Sequence, residues 1–200
     1  MSSAMLAALG LAIGVSYASG LKLYATIATL GLLQHFGLVQ LPSSLGALGS
    51  PIVITIALVL YTLEFLADKI PYMGSVWNVT HTFIRPPAAA LLSYAALSAA
   101  PTGWRILGAL LGGGVAFSSH GIKTALRTPL EASPEPFSTT AFSLAEDAFA
   151  AAVAWIAAIH PIMAIVVVVV LLAATLYATV RLYGVFRAAI GRVARAFRRG

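Results

Sequence analysis

Residues 6–33 read LAALGLAIGVSYASGLKLYATIATLGLL, an apolar run in which Lys22 is the single Asp, Glu, Lys or Arg. A helix needs about 20 mostly apolar residues to cross the hydrocarbon layer of a bilayer, and this stretch is longer than that. It reads as a first, retained transmembrane span. The start MSSAMLAALG lacks the basic region of a signal peptide, and its hydrophobicity continues too far for one.

The same pattern recurs outward along the chain. No Asp, Glu, Lys or Arg occurs before Lys22, between Lys22 and Glu64, or between Asp147 and Arg181. Of the 200 residues, 60% are hydrophobic and 9% charged, with a mean hydropathy of +0.95. Soluble domains carry roughly 25% charged residues, so a water-soluble fold is excluded. The chain has no cysteine, which removes disulfides, thiolate nucleophiles and Cys-ligated metals.

Breaks by Gly, Pro and charge predict about six spans, near 6–33, 51–67, 86–101, 105–123, 139–158 and 162–183. Ser50-Pro51 is a helix cap followed by proline at the first helical position, and Ser138-Thr139-Thr140 offers caps for the fifth span. Alternating the loops puts Lys69, Arg85, Lys123, Arg127 and the six arginines from Arg181 onward on one side, and Arg105 on the other. By the positive-inside rule the first side is cytoplasmic, with both termini there.

The tail 184–200 continues as a basic amphipathic helix. Leu182, Val185, Phe186, Ile190, Val193 and Phe197 form one arc, opposite Arg187, Arg192, Arg195, Arg198 and Arg199. Such a helix suits anionic lipid headgroups. Because the tail supplies most of the excess positive charge, the pI of about 10.0 does not point to a nucleic-acid partner.

An internal similarity suggests two halves. Gly14-Val15-Ser16-Tyr17-Ala18-Ser19 with Gly20-Leu21-Lys22 matches Gly114-Val115-Ala116-Phe117-Ser118-Ser119 with Gly121-Ile122-Lys123, the second copy carrying His120 as an insertion. Leu63-Glu64 then matches Ala145-Glu146, and Ile84-Arg85-Pro86 matches Ile159-His160-Pro161. Two three-helix repeats, 1–101 and 102–183, would be inverted relative to each other, an architecture of secondary transporters. The expected fold is therefore all-α, a polytopic bundle of about six transmembrane helices in two inverted repeats.

Ionisable groups within apolar segments are costly and mark candidate sites. Lys22 lies in line with Ser19, Thr26 and Thr29 on one face of the first span. Glu146 and Asp147 sit roughly 12 Å into the fifth span at 1.5 Å per residue, one turn after Ser143. Glu64 and Asp68 are one turn apart on the second span, near enough for one carboxyl to keep a proton, as a proton carrier requires. Lys123, Arg85 and Lys69 complete the candidates for transport or ion binding. Structural pairing and interfacial placement are the competing readings of the same residues. The stretch 70–81 reads as interfacial or re-entrant, with His81 as a relay or a simple hydrogen-bonding group.

Catalytic motifs are missing: the sequence has no H-E-x-x-H, G-x-S-x-G, phosphate-binding glycine loop or dinucleotide fingerprint. Ser119 and His120 are neighbours, and neighbouring helical positions point apart. The dispersed histidines and acids do not form a metal motif by spacing, so no catalytic residue, metal ligand or cofactor is expected.

At Glu64-x-x-Ala67-Asp68-Lys69-Ile70-Pro71, together with Gly20-Leu21-Lys22 and Arg85-Pro86, the chain resembles an uncharacterised bacterial integral-membrane family, the domain of unknown function 4126. The resemblance covers about residues 8–180. It implies a multi-pass protein of the bacterial cytoplasmic membrane and leaves the activity open. The family pattern favours arginine at position 22, and an acidic residue shortly after the proline where this chain reads Tyr72-Met73-Gly74.

The leading expectation is a small transporter or channel, working as a homo-oligomer, in which Glu64 and Glu146 take protons or a cation while Lys22 and Lys123 engage an anionic group. A non-transporting membrane scaffold or accessory subunit is the rival, and an intramembrane lipid-modifying enzyme stands third.

Overall fold

The computed structural model describes residues 2–70, 73–132 and 136–197, except for the side chains at 75, 128–132, 136, 138, 178–179 and 182–197. Within them the chain is all-helical: α1 (Ser3–Leu21), α2 (Leu23–His35), a 3₁₀ helix (Ser43–Gly49), α3 (Pro51–Ala67), α4 (Met73–Ala96), α5 (Thr102–Ala132), α6 (Pro136–Ile159) and α7 (Pro161–Phe197). Two helical segments, Ser3–Leu21 and Thr139–Ile159, are long and apolar enough to cross a membrane, and the 3₁₀ helix and α3, bent by 66°, would together make a third. The chain divides into two compact units, Met1–Val168 and Val169–Gly200. The second is the distal part of α7. The apolar and basic arcs of the tail lie among side chains outside the described residues.

The first predicted span is two helices. Lys22 stands in extended backbone, φ −148° and ψ 91°, and both ends α1 and starts α2. Its carbonyl accepts the Thr26 amide at 3.0 Å and the Thr26 hydroxyl at 2.8 Å, which ties down the first turn of α2. The chain then reverses. Leu30 joins Leu11 and Val15 of α1 in one apolar cluster, and Gly31 and Gln34 pack against the 3₁₀ helix. The polar stripe expected along a single rod is thus divided, with Ser19 before the reversal and Thr26 and Thr29 after it.

This reversal changes the relation between the two halves. Helix α4 runs antiparallel to α1, since Ser93 bonds Ser16 at 2.6 Å while Arg85 reaches the Gly20 carbonyl at 3.0 Å. Helix α5 runs antiparallel to α4, with Gly112 against Ser93, Gly113 against Pro86 and Ala90, and His120 against Thr82. Helices α1 and α5 therefore run the same way, whereas an inverted repeat requires these counterparts to oppose each other.

The N-terminus is relocated for the same reason. Ser2, Met5 and Ala8 line a cavity of about 540 Å³ together with Ala99, Pro101 and Trp104, so α1 begins at the end of the bundle that holds the α4–α5 turn and Arg105. The single-crossing reading had put the N-terminus with Lys69 and Arg127 at the other end.

Smaller departures have local causes. Ser50 caps α3 as expected, accepting from the Val53 amide at 3.3 Å with Pro51 following. Helix α6 instead starts at Pro136, before Ser138-Thr139-Thr140. The stretch expected to be interfacial is helical from Met73 and forms the first turns of α4, which continues through Pro86 and Pro87. Those prolines offer no amide to the carbonyls one turn earlier. Packing against α1 and α5 holds the rod together there.

Burial is inverted relative to a soluble protein. Arg85, Lys22 and Lys123 head the fully buried side chains, while Phe83 is 77% exposed, Ile52 73%, Leu91 71% and Leu110 69%. Buried charge surrounded by an exposed apolar belt fits a lipid surrounding, which is the physical basis for membrane association.

Two predictions follow from this packing. A Cβ on Gly20 would run into Ala116 backbone and Ser119, whereas one on Gly121 meets nothing within 4 Å. Gly20→Val should cost about 1–3 kcal/mol by overpacking and Gly121→Val close to nothing, as read by thermal unfolding in detergent. The chain has no cysteine of its own, so Ser3→Cys, Gly103→Cys and Lys69→Cys each introduce a single thiol. In oriented vesicles a membrane-impermeant maleimide should label positions 3 and 103 from one face and 69 from the other. Shared labelling of 3 and 69 would restore the single-crossing reading.

Candidate functional site

The reversal at Lys22 places an ammonium group where α3, α4, α5 and α6 converge. Helix α3 contributes Glu64 and Asp68, one turn apart, and α5 contributes Lys123 and Arg127 with the same spacing. The two rows match, with Glu64 against Lys123 at 3.6 Å and Asp68 bonded to Arg127. Glu146 and Asp147 come from α6, and Arg85 from the middle of α4.

The cluster is held by bonds of two kinds. Lys22 Nζ lies 2.7 Å from Asp68 Oδ2 and 2.9 Å from Asp147 Oδ1. Arg85 binds Glu64 Oε1 at 2.5 Å through Nη2 and the Gly20 carbonyl at 3.0 Å through Nη1. Ser143 donates to Asp68 Oδ2 at 3.1 Å, and the Tyr61 hydroxyl to Asp147 Oδ2 at 3.0 Å. Glu146 differs from these. Its Oε2 lies 3.7 Å from both Lys123 Nζ and Arg127 Nε, and neither of its oxygens is hydrogen-bonded, nor is Lys123 Nζ.

Two histidines extend the network. Arg85 Nη1 lies 2.9 Å from His120 Nδ1. A guanidinium only donates, so Nδ1 is the acceptor and the proton sits on Nε2, facing the Asn78 carbonyl at 3.1 Å. His81 Nδ1 faces the Trp77 carbonyl at 2.8 Å, and its Nε2 shares a hydrogen bond with the Tyr24 hydroxyl at 3.2 Å. The His120 ring is neutral in this arrangement, and His81 is stacked on Trp77.

Of the predicted candidates, Lys22, Glu64, Asp68, Arg85, Lys123, Glu146 and Asp147 meet in this one cluster. Lys69 does not. It is exposed, its ammonium 3.6 Å from the Phe65 ring centre. Arg127 and His120 are members that the sequence reading left out. Arg127 shares a helical face with Lys123, but ending the fourth span at residue 123 had assigned it to a loop. His120 lies one turn before Lys123 on that face.

The Ser119 hydroxyl donates to the Tyr17 carbonyl at 2.9 Å, and His120 Nδ1 is occupied by Arg85, so these neighbours are not a nucleophile and its base. Among the described residues, no three His, Asp or Glu side chains converge as a metal site.

Removing one partner of a buried pair leaves a charge without compensation. Arg85→Ala should destabilise the protein by about 3–5 kcal/mol. Pairing Arg85→Met with Glu64→Leu keeps the cluster balanced and should recover most of that loss, as read by denaturation in detergent micelles.

No curated protein and no solved structure matches the chain. A family model does, over residues 9–181, spanning every element from α1 into α7 and all eight members of the charged cluster. The chain belongs to the family described as domain of unknown function (DUF4126).

Proposed function

We propose that the protein carries or conducts a small ionic or polar solute across a membrane, with the buried charged cluster as its binding station and protons as the coupling ion. The observation that carries this reading is the pair Lys123 and Glu146. Lys123 is fully buried and the Glu146 side chain is 9% exposed within a tightly bonded cluster, yet neither charged group is hydrogen-bonded. Buried charged groups are normally fully satisfied, so such a pair is suited to taking and releasing a ligand.

The surroundings support the same reading. The apolar belt on α3 to α6 faces lipid, with the end bearing Lys69 and Arg127 towards the cytoplasm by the positive-inside rule. The N-terminus is then on the opposite face of a bacterial cytoplasmic membrane. The tail rests on anionic headgroups. Gly114, with nothing within 4 Å, and the exposed Ser118 one turn later leave a small-residue patch on α5 against which a second copy can pack.

A scaffold is the second reading, favoured by the tight Arg85–Glu64 and Lys22–Asp68 bonds, which have the character of structural pairs. The two readings separate in proteoliposomes on a solid-supported membrane, recording current and pH change across a panel of ions, metabolites and headgroup analogues. Wild type should give a signal that Lys123→Met removes while the protein stays folded and monodisperse. Arg105→Ala, near the start of α5 and outside the cluster, should leave the signal intact. A silent wild type across the whole panel would favour the scaffold.

A further inference from the structure

The four acids described in the cluster are not equally placed to take a proton. The side chains of Glu146, Asp147 and Arg127 are 9%, 8% and 5% exposed, while those of Lys22, Glu64, Asp68, Arg85 and Lys123 are fully enclosed. The cluster therefore has one open edge, between α5 and α6, and Glu146 lies at it beside Arg127.

What a proton would displace also differs from acid to acid. Asp68 accepts from Lys22, Arg127 and Ser143, and Glu64 from Arg85. Asp147 accepts from Tyr61 and lies 2.9 Å from Lys22. A proton on any of these gives up a charge-assisted contact that joins two helices. Glu146 accepts no hydrogen bond through either oxygen. The cations beside it stand 3.7 Å away, and both are shared, Lys123 with Glu64 at 3.6 Å and Arg127 with Asp68. Any further partner of Arg127 only divides it more, so the ranking of the four acids needs no count of the charges around them. Lys22, from the α1–α2 turn, and Asp68, from α3, act on Glu146 from further off. Arg85, from α4, is committed to Glu64 and the Gly20 carbonyl. A carboxylate out of water and without a hydrogen bond forfeits much of what stabilises its charge.

We infer that Glu146 is the proton-binding member of the cluster: it takes a proton from water ahead of Glu64, Asp68 and Asp147, and does so without releasing the pairs that hold the helices together. The proton passes from water onto a Glu146 oxygen, Lys123 and Arg127 keep theirs, and no other bond changes. That this proton is the coupling ion of a carrier rests on the transport reading above, whereas its binding to Glu146 does not.

Infrared spectroscopy of the full-length protein in lipid reads protonated carboxyl groups through their C=O stretch, clear of the amide bands. The chain has six acids, so Glu131→Gln with Glu135→Gln leaves the four of the cluster. As the pH is lowered in that background, one carboxyl band should precede the rest and be missing from Glu146→Gln. Thermal unfolding in detergent should stay within about 2 °C of the background for Glu146→Gln and fall by about 10 °C for Asp68→Asn, which breaks tight pairs. If Glu146→Gln does not fold, Glu64→Leu with Arg85→Met makes Glu146 the single glutamate. Carbon-13 in the carboxyl of glutamate should then shift the first band, and the same label in aspartate should not.

A first band that survives Glu146→Gln, that moves with labelled aspartate, or that appears only together with loss of helix would overturn the inference while leaving transport standing. The band on Glu146 together with a silent flux panel would support the proton site and remove transport.

Discussion

Eight charged side chains buried together impose the central constraint on this molecule. Moving one carboxylate or ammonium out of water costs several kcal/mol even after relaxation, and only a nearby opposite charge with good geometry offsets it. Every helix that contributes one of these residues must therefore arrive at the same level of the bundle. The reversal at Lys22 is the clearest result. A straight first span would carry Lys22 Nζ past Asp68 and Asp147, whereas a turn with extended backbone at that residue sets its ammonium within 2.9 Å of both. The glycine two residues earlier lets α1 approach Ala116 and Ser119 closely, and its carbonyl takes one Arg85 nitrogen.

The similarity between Gly14–Lys22 and Gly114–Lys123 gains a physical cause from this geometry. The two segments lie on helices that run the same way and pack on each other. Ser16 stands against Gly112, and Gly20 against Ala116 and Ser119. Close contact demands small residues on both partners, and each helix then delivers a lysine to the cluster. Two helices under the same packing demand acquire the same pattern, so the pattern alone does not carry the direction of the second copy.

That is also where the sequence was legible and where it was not. Hydropathy marks which residues leave water, and it marked the apolar segments and, within or beside them, Lys22, Glu64, Asp68, Arg85, Lys123, Glu146 and Asp147, while the Ser-Pro pattern marked the cap at Ser50. Hydropathy is blind to direction, because residues 6–33 are equally apolar as one rod or as two helices folded back. It also misjudged the ends of helices that carry charge. Arg127 read as a loop residue and the stretch 70–81 as interfacial or re-entrant, yet Arg127 and the residues from Met73 onward lie in helix. Lys69 is the converse case. Its neighbour Asp68 turns inward while Lys69 lies over Phe65, a difference of facing that composition does not record.

Structural and functional readings of the cluster are complementary, because the bonds divide the labour. Arg85 with Glu64, and Lys22 with Asp68 and Asp147, sit at 2.5–2.9 Å and fix α1, α3, α4 and α6 against one another. Glu146 stands 3.7 Å from its cations and is bonded to neither. A cluster that was only structural would gain from closing that separation, since a buried carboxylate without hydrogen bonds forfeits part of the stabilisation that its neighbours enjoy. The tight pairs hold the backbone so that Glu146 and Lys123 stay close enough to feel each other's charge, yet are held off from a saturated bond. That separation is the geometric feature on which the transport proposal rests.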